Sequence, residues 1–139
     1  MNLYKEVEVP ADMDHLDDVM GIIQEIMSNV EVDEAERMKV ELAVEEMYTN
    51  IASYAYSEGN GSASVKCKLT DHPGEIIICF TDTGKPYNPL DKPDPDINAG
   101  VEERGIGGLG IYMTKKMMDN VSYEYVDNRN VLTIRKNFD

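Results

Sequence analysis

Apolar and polar residues alternate along this chain with two different periods, and together they predict eight regular elements. In the first half, residues 2–9 alternate with the period of a strand. Residues 12–28 repeat apolar side chains at helical spacing, with Asp12 as the expected N-cap. The segment Asp33–Glu36 has the form of a capping box, so a long helix is expected from there to about Tyr56.

The second half returns to strands on either side of one further helix. Residues 62–69 alternate, whereas residues 75–80 are almost continuously apolar and predict a central strand covered on both faces. Residues 111–118 have helical spacing, and residues 121–126 and 131–136 predict two closing strands. The order β-α-α-β-β-α-β-β predicts an α+β fold, a two-layer sandwich with three helices on one face of the sheet.

A segment without periodicity separates the third strand from the third helix. It runs from Thr81 to about Gly108 and is rich in proline and glycine. A stretch this long in a compact domain is uncommon and often functional, for example as a lid over a site. A surface insertion or a disordered loop is the alternative.

The size and charge of the chain limit the partners it could take. Its 139 residues suit a single domain spanning 1–139, and its formal net charge is −14. Such a charge disfavours direct binding of nucleic acid. A nucleotide would need local backbone N–H groups, a helix N-terminus and a divalent cation to offset the same field.

The two cysteines, Cys67 and Cys79, lie in predicted strands and are expected to be reduced sheet residues. No apolar run is long enough to span a membrane, and the N-terminal residues lack a secretory hydrophobic region. We therefore expect a cytoplasmic protein.

Glu46 and Asn50 form the first candidate constellation. They lie four residues apart on the long helix and share one face. A carboxylate and an amide oxygen on one face could hold a hydrated Mg²⁺ and polarise a hydroxyl group. A solvated helix surface is the alternative explanation.

Two further constellations follow along the chain. Asp82 and Gly84 come at the end of the apolar strand, where a carboxylate could accept from the amine of adenine while glycine lets a flat ring approach. The run Gly105–Gly110 leads into a helix, and its backbone N–H groups could cradle an anion. The alternatives are an ordinary turn and a glycine hinge.

The three constellations in this order resemble the GHKL (histidine kinase-like) ATPase superfamily. The segments Glu41–Asn50, Asp82–Leu90 and Gly107–Met113 are similar to the helix, adenine loop and post-lid helix of its anti-sigma-factor serine/threonine kinases. The resemblance covers nearly the whole chain. It implies the Bergerat ATP-binding fold, with a mixed, largely antiparallel sheet.

The resemblance also implies a role for each matching residue. Glu46 would be the general base for the attacking hydroxyl. Asn50 would hold Mg²⁺ against the triphosphate of ATP. Asp82 would bind the adenine amine, Gly84 would give the ring room, and Thr133 on the last strand would support Asp82.

Backbone groups of Gly108, Leu109 and Gly110 would contact phosphate. Arg104 lies near the place of a phosphate-binding arginine in some relatives, but at another offset. Glu45 competes with Glu46 for the role of base, although only Glu46 lies one turn from the asparagine. The roles of Arg104 and Glu45 stay open.

The implied reaction is transfer of the γ-phosphoryl group of ATP to a serine of a STAS-type antagonist protein. The same resemblance implies a sigma factor as a second partner, and a homodimer that covers the back of the sheet. Two alternatives remain: a regulatory binding module that uses ATP only to set its shape, and an interaction domain without a nucleotide.

Overall fold

The described part of the chain holds five strands and three α-helices, in the predicted order. The computed structural model describes residues 2–54, 61–71, 74–91 and 108–138. The strands are β1 (Leu3–Pro10), β2 (Ser62–Asp71), β3 (Gly74–Asp82), β4 (Asn120–Val126) and β5 (Arg129–Asn137). The helices are α1 (Leu16–Met27), α2 (Glu34–Tyr54) and α3 (Gly108–Met117), with 3₁₀ turns at Met13–His15 and Pro89–Asp91.

The strands make one sheet in the order β1-β2-β3-β5-β4. All four pairings are antiparallel, so the expected mixed sheet is in fact antiparallel throughout. The apolar strand β3 is central, as predicted, and its last residue, Asp82, pairs with Ala63 on one side and Asn130 on the other. This register brings the start of β5 beside the end of β3.

Only one face of the central strand is covered within the chain. Ile76, Ile78 and Phe80 are at most 1% exposed and belong to the core. Ile77 and Cys79 alternate with them and are half-buried on the opposite face. The prediction that β3 is covered on both faces is therefore wrong for the single chain, because the helices pack on one side and the other side of the sheet has no layer over it among the described residues.

The first helix begins later than the sequence predicts. Asp12 makes no side-chain capping bond to the backbone; its carboxylate instead lies 2.6 Å from Nδ1 of His15. A 3₁₀ turn intervenes, and α1 starts at Leu16. The buried Tyr48 of α2 fixes this connection, because its hydroxyl donates to the carbonyl oxygens of Pro10 (3.0 Å) and Asp12 (2.6 Å).

Lys136 of β5 links the two helices that bear the candidate site residues. The lysine is 7% exposed; its ammonium donates to the carbonyl oxygen of Met117 (3.1 Å) and lies 2.9 Å from the Glu36 carboxylate. It thus caps the C-terminal end of α3, where the helix dipole favours its positive charge, and it pairs with the Glu36 carboxylate in the first turn of α2. Because Gly110 at the other end of α3 lies against Glu46, the two helices are antiparallel.

This ion pair predicts a loss of stability in acid. A hydrogen bond from Lys136, and to a smaller extent one from Lys39, holds the pKa of Glu36 below its ordinary value of 4.5. The stabilisation is present above that ordinary value and is lost as the pH falls through the lower folded pKa. We expect Glu36→Gln to lower the melting temperature at pH 7. The difference in melting temperature between this variant and the wild type should become smaller as the pH falls towards 3.

Thermal melts followed by circular dichroism across this pH range measure the effect. Glu34→Gln, in the same exposed first turn, is the matched control. Parallel melting curves for the wild type and Glu36→Gln at every pH would contradict the prediction.

Within the described ranges, no helix is both long and apolar enough to cross a membrane. Both cysteines are free, as predicted. Cys67 is buried in the core, and burial raises the pKa of its thiol to about 12. It therefore stays protonated and unreactive at neutral pH.

Candidate functional site

A pocket lies between α2 and the end of the sheet where β3 stops and β5 begins. Its lining is mostly apolar with a few convergent polar groups, which is typical of small-molecule sites. The lining residues are Met47, Asn50, Ile51, Phe80, Asp82, Tyr87, Pro89, Tyr123, Asn130 and Leu132. The pocket thus joins two residues predicted to lie in the site, Asp82 and Asn50.

Asp82 is a buried acceptor at this pocket. Asp82 is 5% exposed. Its Oδ1 atom accepts hydrogen bonds from the backbone N–H of Gly84 and from Nδ2 of Asn130, both at 2.9 Å. Both hydrogen bonds end on Oδ1, which leaves Oδ2 able to accept from a ligand. Burial with two fixed donors holds the carboxylate in one orientation.

Asn130 is a site residue that sequence reasoning missed. It is 6% exposed and lies directly beside Asp82 in the sheet. Thr133, the predicted support for Asp82, pairs instead with Cys79 and points to the opposite face of the sheet. That prediction is wrong because side chains alternate along a strand, so residues 130 and 132 share the pocket side and 133 does not.

Glu46 and Asn50 lie one helical turn apart on α2, as predicted. The Asn50 side chain donates from Nδ2 to the carbonyl oxygen of Glu46 at 2.9 Å, which leaves its Oδ1 available. Glu46 is partly buried, whereas Glu45 is exposed. The structure therefore distinguishes the two neighbouring carboxylates that the sequence left in competition.

The carboxylate of Glu46 lies against the first turn of α3. A Cβ atom added to Gly110 would overlap Oε2 of Glu46, so the carboxylate fills the space that a side chain at 110 would need. Glycine at 110 therefore lets the Glu46 side chain approach the backbone of α3 closely. The first four N–H groups of a helix have no partner within it, so this end of α3 attracts anions.

The remaining predicted residues fall at the edge of the described chain. Gly108 and Leu109 form the start of α3 in the backbone. Gly84 is buried, and its backbone N–H donates to Oδ1 of Asp82. Arg104 lies outside the described residues.

The donor set at the pocket fits a Mg²⁺ ion that is shared with a phosphate ligand. Among the described residues no cluster of three or more histidine, cysteine, aspartate or glutamate side chains could hold a metal ion alone. Mg²⁺ usually keeps several waters and takes one or two protein oxygens together with substrate phosphates. The Oδ1 atom of Asn50 can supply such an oxygen.

Comparisons with known proteins identify the family of this chain. The family model of the histidine kinase-like ATPase domain matches residues 9–136. The chain belongs to the histidine kinase-like ATPase family. Among its relatives are serine-protein kinases named RsbW, and with them it falls into the GHKL group of anti-sigma-factor kinases.

Two of these relatives show the extent of the similarity. The RsbW of Bacillus cereus is 30% identical to this ATPase-family chain over 135 residues, which cover 91% of the chain and 81% of that protein. The RsbW of Bacillus subtilis is 30% identical over 143 residues, covering 94% and 82%. The similarity thus includes α2, α3 and the three segments named above, Glu41–Asn50, Asp82–Leu90 and Gly107–Met113.

Solved structures share the histidine kinase-like ATPase fold. A Mycobacterium tuberculosis structure of RsbU and RsbW domains matches with a TM-score of 0.64 at 12% identity, over 95% of this chain and 32% of that longer one. A chain of the SiaB–SiaC complex from Pseudomonas aeruginosa matches with a TM-score of 0.61 at 16% identity, over 96% of this chain and 89% of that one. At these identities the likeness shows the fold alone.

Proposed function

We propose that this protein is an ATP-dependent kinase that phosphorylates a serine on a small antagonist protein of the STAS type. One observation carries the proposal: Asp82 and Asn50 line one pocket, and the turn that bears Asn50 also holds Glu46 against the N-terminus of α3. These are the parts that phosphoryl transfer needs, because the reaction depends on positioning and charge neutralisation more than on covalent chemistry.

The adenine base would enter the pocket beside β3. Oδ2 of Asp82 accepts from the adenine amine, while the buried Gly84 leaves the backbone open to a flat ring. Tyr87, Tyr123 and Leu132 of the lining supply apolar contact. A carboxylate at this position repels the carbonyl oxygen of guanine, so the site favours ATP over GTP.

The phosphates would lie between Asn50 and the start of α3. The unpaired N–H groups at Gly108, Leu109 and Gly110 donate to phosphate oxygens. Oδ1 of Asn50 would hold Mg²⁺, which neutralises part of the phosphate charge when bound and so offsets the −14 charge of the chain.

Glu46 would act as the general base. Its carboxylate takes the proton of the serine hydroxyl as the serine oxygen bonds to the γ-phosphorus, and the bond from that phosphorus to the β–γ bridging oxygen breaks. The products are phosphoserine and ADP. The contact with Gly110 fixes where this carboxylate lies relative to the phosphate-binding end of α3.

The Gly110 contact gives a direct prediction. Gly110→Ala would place a methyl group on the Glu46 carboxylate, which must then move. The carboxylate is the end of a flexible side chain, so we expect the fold to survive. We expect phosphoserine formation to fall by about 10²-fold, the cost of a base misplaced by roughly 1 Å.

Gly21→Ala is the matched control, because a Cβ there meets no atom within 4 Å. It should stabilise the exposed middle of α1 by about 0.5–1 kcal/mol and leave transfer unchanged. Equal transfer rates for Gly110→Ala and the wild type would show that the contact does not position the base.

The protein substrate would cover the surface beside Glu46. Leu42 lies one turn before Glu46 on α2 and is 46% exposed, and Met113 lies one turn after Gly110 on α3 and is 43% exposed. Because the serine must reach Glu46, we infer that the antagonist contacts these two side chains.

Leu42→Lys should therefore raise the KM for the antagonist about tenfold while the Kd for ATP stays the same. Met13→Lys, at an equally exposed apolar residue away from the site (47% exposed), is the control. Steady-state phosphorylation at varied antagonist concentration separates KM from kcat. An unchanged KM would show that the antagonist does not contact Leu42.

The family resemblance extends the proposal to a sigma factor as a second partner and to a homodimer. Half-buried apolar side chains on the outer face of the sheet, Ile77, Cys79 and Val131, mark the surface that such a dimer would cover. A monomer mass from sedimentation at micromolar concentration would exclude the dimer. A failure of the purified protein to retain any sigma factor of its host would exclude the second partner.

The decisive experiment is incubation of the purified protein with Mg-ATP and its antagonist protein, followed by mass spectrometry. We expect one phosphoserine on the antagonist. Retained ATP binding without transfer at any protein ratio would favour the ATP-dependent binding module instead. Absence of ATP binding would exclude both the kinase and the ATP-dependent binding module.

A further inference from the structure

The side chain of Asn130 joins three separate parts of the molecule at the base pocket. Its Nδ2 donates to Oδ1 of Asp82 (2.9 Å), to the carbonyl oxygen of Lys85 (2.9 Å) and, more weakly, to that of Gly84 (3.4 Å). Its Oδ1 accepts from the backbone N–H of Tyr87 (3.1 Å) and from the hydroxyl of Tyr123. Strands β3 and β4 and the segment after β3 thus meet at one buried amide.

These bonds fix which end of the amide faces which neighbour. Two donors surround the oxygen and three acceptors surround the nitrogen, so a flipped amide would oppose donor to donor and acceptor to acceptor. An amide offers two N–H bonds and two lone pairs, and all four are used here. Asn130 has no capacity left for a ligand, although it lines the pocket.

A saturated amide beside Asp82 acts on the ligand only through that carboxylate. Asn130 and the N–H of Gly84 both donate to Oδ1, so the carboxylate cannot turn away from this orientation without breaking two buried hydrogen bonds. Oδ2 is therefore held as a bare acceptor. A bare acceptor attracts an amine at purine position 6 and repels a carbonyl there.

We propose that Asn130 is a positioning residue that sets the preference of the pocket for a 6-amino purine by locking the Asp82 carboxylate. The inference rests on the nucleotide-binding part of the proposed function and not on phosphoryl transfer. It also assigns the Tyr123 hydroxyl a role, because that hydroxyl holds the amide oxygen from the far side.

The test compares two ligands that differ only at purine position 6. Mg-ATP carries the amine, and the Mg complex of purine riboside triphosphate carries hydrogen there. Calorimetric titration gives a Kd for each. We expect the wild type to prefer ATP by about tenfold to hundredfold, the range for a hydrogen bond to a charged acceptor.

Asn130→Ser should reduce that preference to about threefold or less. ATP should bind more weakly, while the affinity for purine riboside triphosphate should stay within about threefold of the wild type. Tyr123→Phe removes one hydroxyl only and should reduce the preference less, so it keeps the proposal testable if the serine variant fails to fold. Thr133→Val, on the same strand but on the opposite face, should match the wild type.

Three results would overturn the proposal. Equal weakening of both ligands by Asn130→Ser would show a purely structural role. An unchanged preference in Asn130→Ser and Tyr123→Phe would show that Asp82 needs no lock. A wild type that binds Mg-ATP without preferring it would remove the premise, whereas a wild type that binds neither nucleotide would refute the nucleotide site itself.

Discussion

Glu46→Gln should abolish most phosphoryl transfer while ATP still binds. The amide is nearly isosteric with the carboxylate, so it fits beside Gly110, but it cannot take the serine proton. General-base catalysis contributes about 10²–10⁴-fold, and we expect kcat to fall by that factor. The Kd for Mg-ATP should stay within about threefold, because Glu46 is not assigned to nucleotide binding.

Glu45→Gln is the control for this prediction. It changes the same charge at the adjacent, exposed position and should leave kcat unchanged. Phosphoserine formation in single-turnover reactions separates chemistry from product release. If Glu45→Gln lost activity and Glu46→Gln kept it, the assignment of the base would be reversed.

Asp82→Ala should weaken the binding of Mg-ATP by about 10³-fold. The variant loses a charge-assisted hydrogen bond to adenine and also leaves the desolvated adenine amine without an acceptor in the complex. Together these losses are worth roughly 4 kcal/mol, which corresponds to about three decades in Kd. Selectivity against GTP should fall as well.

Calorimetry with Mg-ATP and Mg-GTP measures both effects. Thr81→Val, one residue earlier on β3 and on the opposite face of the sheet, is nearly isosteric and should bind ATP as the wild type does. A change of less than about tenfold in Asp82→Ala would mean that adenine is recognised elsewhere.

The order of elements could be predicted from the sequence because apolar periodicity reports burial. The register of the sheet could not, since it depends on which strands pair. The family resemblance implies a hydroxyl on the last strand as the support for Asp82, and Thr133 is the hydroxyl there. The register pairs Asp82 with Asn130 instead, and no pattern in the sequence indicates that pairing.

Coverage of β3 was overestimated for a related reason. Ile77 and Cys79 are as apolar as their neighbours, yet the helices of the described residues pack on one face of the sheet only. The Glu46–Gly110 contact was also beyond the sequence, because it joins residues 64 positions apart. The glycine run did signal close approach, although it was interpreted as room for phosphate rather than for a carboxylate.

Lys136 binds α3 at its C-terminal end, whereas the carboxylate of Glu46, the proposed base, contacts the helix at its other end. Because Lys136 holds α3 at its C-terminal end, we expect the N-terminal end to be displaced more when a nucleotide fits poorly. That end contacts the proposed base, Glu46. Lys136→Met removes the contacts at the C-terminal end of α3. It should therefore make the position of the distant Glu46 carboxylate less well defined, although Lys136 does not contact the nucleotide.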